Sequence, residues 1–394
     1  MRSVSVFGAT GSIGESTFDL LVRGGGPDRY RTVALTGARN IARLAEMARS
    51  LRAEVAVTAD EALLDDLRAA LAGSGIQAAA GPQAIAEAAD RPADWVMSGI
   101  VGAAGLVPGL RALRHGGTLA LANKESLVTA GPLLMATAAA HGARILPVDS
   151  EHSAVFQALQ GEDHAAVERV IITASGGPFR TWDKARLQAA TVKEAVAHPN
   201  WSMGQRISID SASMFNKALE LIETREYFGF KPEQIEVLVH PQSIVHALVG
   251  FADGGVIAHM GPPDMRHAIG YALHWPDRQH IPVARLNLAQ LGSLTFEAPD
   301  PERFPALRLA RAVMETRGLA GCVFNAAKEV ALDHFIAGGL RFLQMAEVVE
   351  DTLDTISRKN SLGKAASTLE EVQQMDHLAR KAASEAVGIR QQSR

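Results

Sequence analysis

The sequence has one cysteine, Cys322, in 394 residues. A lone thiol cannot close an intrachain disulfide or build a multi-cysteine zinc site, and it suits a reducing compartment. Basic residues are not in excess, since 39 Lys and Arg against 43 Asp and Glu leave a formal charge of −4. No broad nucleic-acid face is therefore expected, and an anionic ligand has to be met by a local site. Long apolar runs are missing too. The most apolar stretch, at 128–140, is interrupted by Gly131 and Pro132 and falls short of the ~18 to 20 residues that a membrane span requires. The opening MRSVSVFGATG enters a strand pattern at once, without a basic, apolar and small-residue leader, so a cytoplasmic chain without a membrane contact is expected.

What is present is a globular composition, 47% hydrophobic and 21% charged, with length for two or three domains. Short β-branched runs at 3–7, 32–35, 54–57, 94–97, 118–122 and 144–148 alternate with helical patterns such as 41–49 and 61–72. That alternation predicts an α/β fold beginning with a parallel, Rossmann-like nucleotide-binding domain over 1–149. Over 150–297 the strand-like runs 167–173, 235–239, 244–251 and 255–260 follow one another around a helical pattern at 211–224. This predicts a central α+β catalytic domain with a mostly antiparallel sheet. The Pro-rich 298–305 reads as a linker opening a C-terminal helical domain that runs to 394. There Val323, Ala327, Val330 and Ile336 fall near one face, and Thr368 with Glu371 reads as a capping box.

Several motifs carry chemistry. Gly8-Ala9-Thr10-Gly11-Ser12-Ile13-Gly14 follows a strand and opens a helix, which suits a pyrophosphate at the helix N-terminus, although its glycine spacing is not the commoner GxGxxG. The second strand runs into Thr36-Gly37-Ala38-Arg39-Asn40 with no acid at the ribose position. Arg39 there suits the 2′-phosphate of NADP, with Arg43 a lesser helper. Asn123, Lys124 and Glu125 stand beyond a strand end, where open parallel sheets bind ligands. Asn123 and Glu125 suit cofactor groups, and Lys124 a substrate oxygen or phosphate. In PVDSEH, Asp149 and Glu151 would point the same way from extended chain, offering hard oxygen ligands for Mg²⁺ or Mn²⁺. A third carboxylate is sought among Asp210, Glu220 and Glu223, which spacing leaves open. Ser211, Asn216 and Lys217 form an anion-binding trio in the same segment. Ser175-Gly176-Gly177-Pro178-Phe179 offers a nest of N–H groups for phosphate. His198-Pro199-Asn200-Trp201-Ser202-Met203-Gly204, within 198–206, reads as a lid.

Taken in order, GATGSIG, LANKES, PVDSEHSA, SGGPF, HPNWSMG, DSASMFNKALE, HPQS and GPPDMR closely resemble the 1-deoxy-D-xylulose-5-phosphate reductoisomerase family over essentially the whole chain. The resemblance implies an NADPH-dependent homodimer that uses a divalent metal (Mn²⁺, Mg²⁺ or Co²⁺). It implies conversion of a small phosphorylated ketose, 1-deoxy-D-xylulose 5-phosphate, to 2-C-methyl-D-erythritol 4-phosphate by rearrangement and hydride reduction. That is the committed step of the non-mevalonate isoprenoid pathway. By motif the resemblance assigns the metal to Asp149, Glu151 and Glu220, which decides for Glu220. It implies substrate contacts for Ser150, Ser175, His198, Trp201, Ser211, Asn216 and Lys217 alongside Lys124, Glu151 and Glu220. Lys124, Asp149, Glu151, His198 and Glu220 are the catalytic set. NADPH falls to Thr10, Gly11, Ser12, Ile13, Ala38, Arg39, Asn40, Asn123, Glu125 and Gly204. Many members read Gly-Lys-Asn where this chain has Ala38-Arg39-Asn40, so positive charge is kept. The competing reading is an NADP-dependent semialdehyde or acyl-phosphate reductase, which would need a nucleophilic cysteine in the second domain.

Overall fold

The computed structural model describes residues 1–199, 201 and 204–392. Asn200, Ser202 and Met203 of the expected lid lie outside the described residues. Contacts gather in two compact units, one of residues 1–126, 134–153 and 264–284, the other of 127–133, 154–263 and 285–394.

The first unit is built on seven strands, β1 (Arg2–Phe7), β2 (Tyr30–Gly37), β3 (Val55–Thr58), β4 (Gln77–Ala80), β5 (Trp95–Ser98), β6 (Thr118–Leu121) and β7 (Arg144–Pro147). They stand in the order β4-β3-β2-β1-β5-β6-β7, all parallel. Val4, Val6, Val33, Val55 and Val57 are buried, as strands covered on both faces require. The strand β4 escapes sequence reading because Gln77-Ala78-Ala79-Ala80 has helix-favouring side chains. Its pairing with β3 overrides that local preference. Strand order reverses at β1, which has β2 on one side and β5 on the other, and ligands of such sheets bind in the crevice at that point.

The turn out of β1 depends on two glycines. Gly8 has φ +84°, and a Cβ there would lie 2.6 Å from the Gly99 carbonyl oxygen. A Cβ on Gly14 would lie 2.2 Å from the Ala9 oxygen, so helix Ser12–Arg23 can approach the sheet only with glycine at that place. Late in the chain, helix Arg266–His274 returns to this unit. Trp95 Nε1 donates to the Ala272 carbonyl at 3.1 Å, and Arg2 donates to Leu273 O. Arg266 bridges Asp264 at 2.7 Å and Asp19 at 3.0 Å. The GPPDMR motif thus has a fastening role.

The second unit holds β8 (Val167–Ala174), β9 (Ile235–Val239), β10 (Val245–Phe251) and β11 (Val256–Met260), ordered β11-β10-β8-β9. The pairs that β10 makes with β11 and β8 are antiparallel, and β8 with β9 is parallel. The helix expected at 211–224 is two helices, Gln205–Ala212 and Phe215–Phe228. Ser213 Oγ donates to the Ile209 carbonyl at 2.8 Å, a back-bond that competes with helix continuation. Met214 then adopts φ +61°, and its burial at 3% exposure supports that strained conformation. Helices Ala306–Thr316, Ala320–Ile336, Gln344–Ser357 and Leu369–Gln392 complete the unit. Of the expected helical face, Val323 and Ala327 are buried whereas Val330 and Ile336 are half-buried. Thr368 Oγ1 accepts from the Glu371 N–H at 3.3 Å, and the Glu371 carboxylate reaches the Ser367 N–H at 2.7 Å. No helix among the described residues is long and apolar enough to cross a membrane.

Gly14→Ala should lower unfolding stability by about 1 to 3 kcal/mol, because the fixed Ala9 carbonyl has to move. Gly142→Ala, with φ +62° but nothing within 4 Å of its added Cβ, should cost only the left-handed strain of about 1 kcal/mol. Urea denaturation of both variants tests the ranking, and equal losses would count against the steric account.

Candidate active site

At the switch point the backbone of Gly8 is tied to β2, with its N–H donating to Thr36 Oγ1 at 3.0 Å. Gly11 caps helix Ser12–Arg23 without any side-chain hydrogen bond. Gly11 and Ser12 are exposed and Thr10 and Ile13 half-buried, so the helix start presents its N–H groups as an anion seat. Beyond β2, Thr58 Oγ1 donates to the Ala38 carbonyl at 2.5 Å. Asn40 caps the next helix by accepting from the Arg43 N–H at 3.2 Å.

The two arginines separate here. Arg43 makes 2.8 and 2.6 Å bonds to Glu15 and a 2.7 Å pair with Glu46. Its guanidinium is committed within the fold, against its expected helper role. Arg39 is 84% exposed and pairs with Asp60 at 3.1 Å, leaving it as the cation at this edge. Asp60 was not singled out from the sequence, and only its place two residues beyond β3 hinted at it.

Asn123 is a brace. Its Nδ2 donates to Ile100 O, to Gly102 O at 2.9 Å and to Glu125 Oε2 at 3.0 Å, and its Oδ1 accepts from the Ser126 N–H at 2.9 Å. The side chain therefore shapes the loop after β5 and caps helix Lys124–Ala140. At the first position of that helix, Lys124 is buried with its Nζ 2.6 Å from Asp149 Oδ2. Asp149 follows β7, and its carbonyl accepts from the Ser153 N–H at 2.8 Å as helix Ser150–Ala158 begins. The 149–151 segment is thus a helix start, where extended chain was expected. Asp149 and Glu151 still present carboxylate oxygens within 4.8 Å of each other, because the capping residue and the first turn converge. Ser150 Oγ donates to Glu151 at 2.6 Å. His152, which sequence reasoning passed over, is fully buried with Nδ1 3.9 Å from Asp149.

In the second unit, the break at Met214 ends one helix at Ser211-Ala212 and places Asn216 and Lys217 in the first turn of the next. Asn216 Nδ2 and Lys217 Nζ both donate to the Glu220 carboxylate. Glu220 and Glu223 are each buried, so burial does not choose between them, but these two donors converge on Glu220. Asp210 is engaged at 3.0 Å by Lys328 of the C-terminal helix Ala320–Ile336. The turn Ser175-Gly176-Gly177 has φ +86° and +61° at its glycines, and a Cβ on Gly177 would lie 3.0 Å from the Ser211 carbonyl oxygen.

His198 fixes a proton at this place. The Trp201 N–H donates to its Nδ1 at 3.0 Å, so the neutral ring carries its hydrogen on Nε2, 2.8 Å from Ser175 Oγ. That oxygen also accepts from the Gly177 N–H at 3.1 Å. With two donors on its lone pairs, Ser175 has its O–H to offer an anionic ligand. Half-buried Trp201 is tied by its backbone to this pair, and exposed Gly204 caps the following helix.

A parallel sheet with a glycine turn at its switch point, and a second unit with a buried carboxylate and a glycine turn, define an α/β protein of the Rossmann-like class. Comparisons specify it further. The family profile described as 1-deoxy-D-xylulose 5-phosphate reductoisomerase matches residues 4–131, and profiles of its C-terminal domains match 145–228 and 260–382. The 1-deoxy-D-xylulose 5-phosphate reductoisomerase of Cereibacter sphaeroides is 73% identical over 394 residues, all of both chains. That of Ruegeria pomeroyi is 66% identical, covering 99% of this chain and 98% of its own. The solved enzyme of Zymomonas mobilis in complex with NADPH is 47% identical, with a TM-score of 0.91 over 98% of this chain and 99% of that one. A DOX-P reductoisomerase in complex with NADPH, fosmidomycin and magnesium is 40% identical, with a TM-score of 0.92 over 99% of each chain. The chain belongs to the 1-deoxy-D-xylulose 5-phosphate reductoisomerase family.

Burial holds the His198 imidazole below its ordinary value of 6.5, and protonation of Nδ1 would break the bond from Trp201. The neutral ring's contribution is complete above 6.5 and fades as pH falls through the lowered value. Limited proteolysis of the 196–201 stretch, followed from about pH 8 to about pH 5, should stay constant and then accelerate below 6.5. A flat profile, or faster cleavage toward high pH, would refute the latch.

Proposed function

We infer that this chain converts 1-deoxy-D-xylulose 5-phosphate to 2-C-methyl-D-erythritol 4-phosphate, using NADPH and a divalent cation, as the committed step of isoprenoid precursor synthesis. The observation that carries the reading is that each unit presents a carboxylate held by a buried lysine, Lys124 on Asp149 and Lys217 on Glu220. Asp149, Glu151 and Glu220 offer hard oxygen donors only, which fits Mg²⁺ or Mn²⁺, and we assign the ion to them. Thr10, Gly11, Ser12 and Ile13 with Ala38, Arg39 and Asn40 fit a nucleotide phosphate and a ribose 2′-phosphate. Asn123, Glu125 and Gly204 complete that set. The division of labour follows 1–149 for nucleotide, 150–297 for metal and substrate, and 298–394 for support.

When bound, the cation supplies polarisation of the substrate's carbonyl and neighbouring hydroxyl oxygens, and the reduced nicotinamide supplies the hydride. The chain's own groups do the rest. Ser175 donates its O–H to the phosphate, with Ser211, Asn216 and Lys217 beside it, while His198 keeps Ser175 in that protonic state. Lys124, nearly excluded from water, holds its ammonium where a substrate oxygen replaces Asp149. Ser150 orients Glu151 through their mutual bond, and Trp201 covers the substrate and excludes water.

The competing reductase reading loses its nucleophile. Cys322 is fully buried, its Sγ donates to the Val372 carbonyl at 3.5 Å, and burial pushes its thiol pKa up. Exposed Val256 and Ile257 on β11, at a sheet edge, support a homodimer, and the lone buried thiol suits a cytoplasmic location.

Dialysis against chelator should abolish NADPH oxidation with the ketose phosphate, and Mn²⁺ should restore it. Glu220→Gln should lose most activity, at least about a hundredfold or roughly 2.7 kcal/mol, with NADPH affinity near normal. Full activity in Glu220→Gln together with a dead Glu223→Gln would overturn the ligand assignment. Arg39→Ala should narrow the NADPH over NADH preference by roughly tenfold, as for a lost charge-assisted bond of about 1.5 kcal/mol. An unchanged ratio would remove Arg39 from the cofactor set.

A further inference from the structure

Helix Gln205–Ala212 joins the two ends of the phosphate and lid apparatus. It begins after Gly204 and carries Ser211 in its last turn. Asp210, adjacent to Ser211, is 4% exposed and accepts a 3.0 Å bond from Lys328 Nζ, itself 3% exposed, on helix Ala320–Ile336. One turn earlier, Arg206 pairs with Asp333 of the same C-terminal helix. The two bridges run with opposite polarity, acid to base and then base to acid. Rotating or sliding the short helix by one turn would therefore bring like charges together, so the pairs specify its register as well as its attachment. The C-terminal helix is braced in turn, because Glu329 accepts from Arg380 at 2.6 Å and Arg380 holds Asp376 at 2.7 Å on helix Leu369–Gln392.

Close packing transmits that register. Gly177 lies against the Ser211 carbonyl so closely that an added Cβ would sit 3.0 Å from its oxygen. A displaced Ser211 end would therefore shift the Ser175-Gly176-Gly177 turn with it.

We propose that Lys328 is a positioning residue for phosphate recognition, acting through Asp210 to set the Ser211 end of its helix and the glycine turn packed on it. This rests on the assignment of Ser175 and Ser211 to the substrate phosphate.

The test uses the full-length holoenzyme carrying Lys328→Met, with inorganic phosphate as a competitive probe. The KM for the ketose phosphate and the inhibition constant for inorganic phosphate should each rise about tenfold, equivalent to ~1.4 kcal/mol. The kcat should change by less than about twofold and the NADPH dissociation constant should not move. Lys328→Arg, which keeps the charge, should recover most of the loss. Because Lys328→Met leaves Asp210 buried without this lysine, its yield of folded protein should fall. The double variant Lys328→Met, Asp210→Asn removes that charge and should show the same weakening of phosphate. Unchanged KM and phosphate inhibition in a folded variant would overturn the proposal, as would parallel losses in kcat and NADPH affinity. Ser211→Ala separates the two levels. If it leaves phosphate inhibition intact, the phosphate assignment itself fails. If it weakens phosphate while the Lys328 variants do not, only the positioning role fails.

Discussion

A carboxylate taken out of water without a cation beside it costs several kcal/mol, and this chain takes out three at places that matter. Lys124 lies on Asp149, Lys217 on Glu220 and Lys328 on Asp210. Much of the local structure serves these pairs. Asn123 caps the helix whose first residue is Lys124, and the break at Met214 starts the helix whose first turn holds Lys217. The braced C-terminal helices deliver Lys328. Each lysine sets a positive charge beside its acid inside the fold.

The pairs differ in a way that sorts them by use. Asp149 has 19% of its side chain exposed, and Glu220, at 1%, lies on a helix whose first turn carries the anion-binding Asn216 and Lys217. Both ammonium groups belong to the set proposed for substrate and both carboxylates to the set proposed for the cation, so an incoming ligand and cation would each meet a partner of opposite charge. Asp210 and Lys328 join two different helices, and a pair of that kind is suited to holding geometry.

Much of this was legible in the sequence where local pattern and tertiary demand agree. The β-branched runs 3–7 and 32–35 lie within β1 and β2, and the glycines at 8 and 14 sit where the backbone approaches most closely. The readings that failed did so because the deciding force is non-local. Gln77-Ala78-Ala79-Ala80 is a strand only because β3 offers it an edge. The two helices around Met214 read as one because nothing in MFNK announces a left-handed residue, and the surrounding core imposes it. Asp149 and Glu151 do converge, though from a helix start.

The same distinction explains the charged residues. Arg39 and Arg43 are alike in sequence, and folding alone sets Arg43, 26% exposed, between Glu15 and Glu46 while Arg39, 84% exposed, meets Asp60. Asp210, Glu220 and Glu223 are equivalent by spacing, and the choice among them depends on which donors the fold supplies. Asp210 receives Lys328 from 118 residues away, whereas Glu220 receives Asn216 and Lys217 from its own helix. A carboxylate whose cation is local can exchange it without disturbing distant structure. One whose cation comes from a distant, braced helix cannot, so the Asp210–Lys328 pair between helices suits the scaffold and the Glu220–Lys217 pair on one helix suits the ligand set proposed for it.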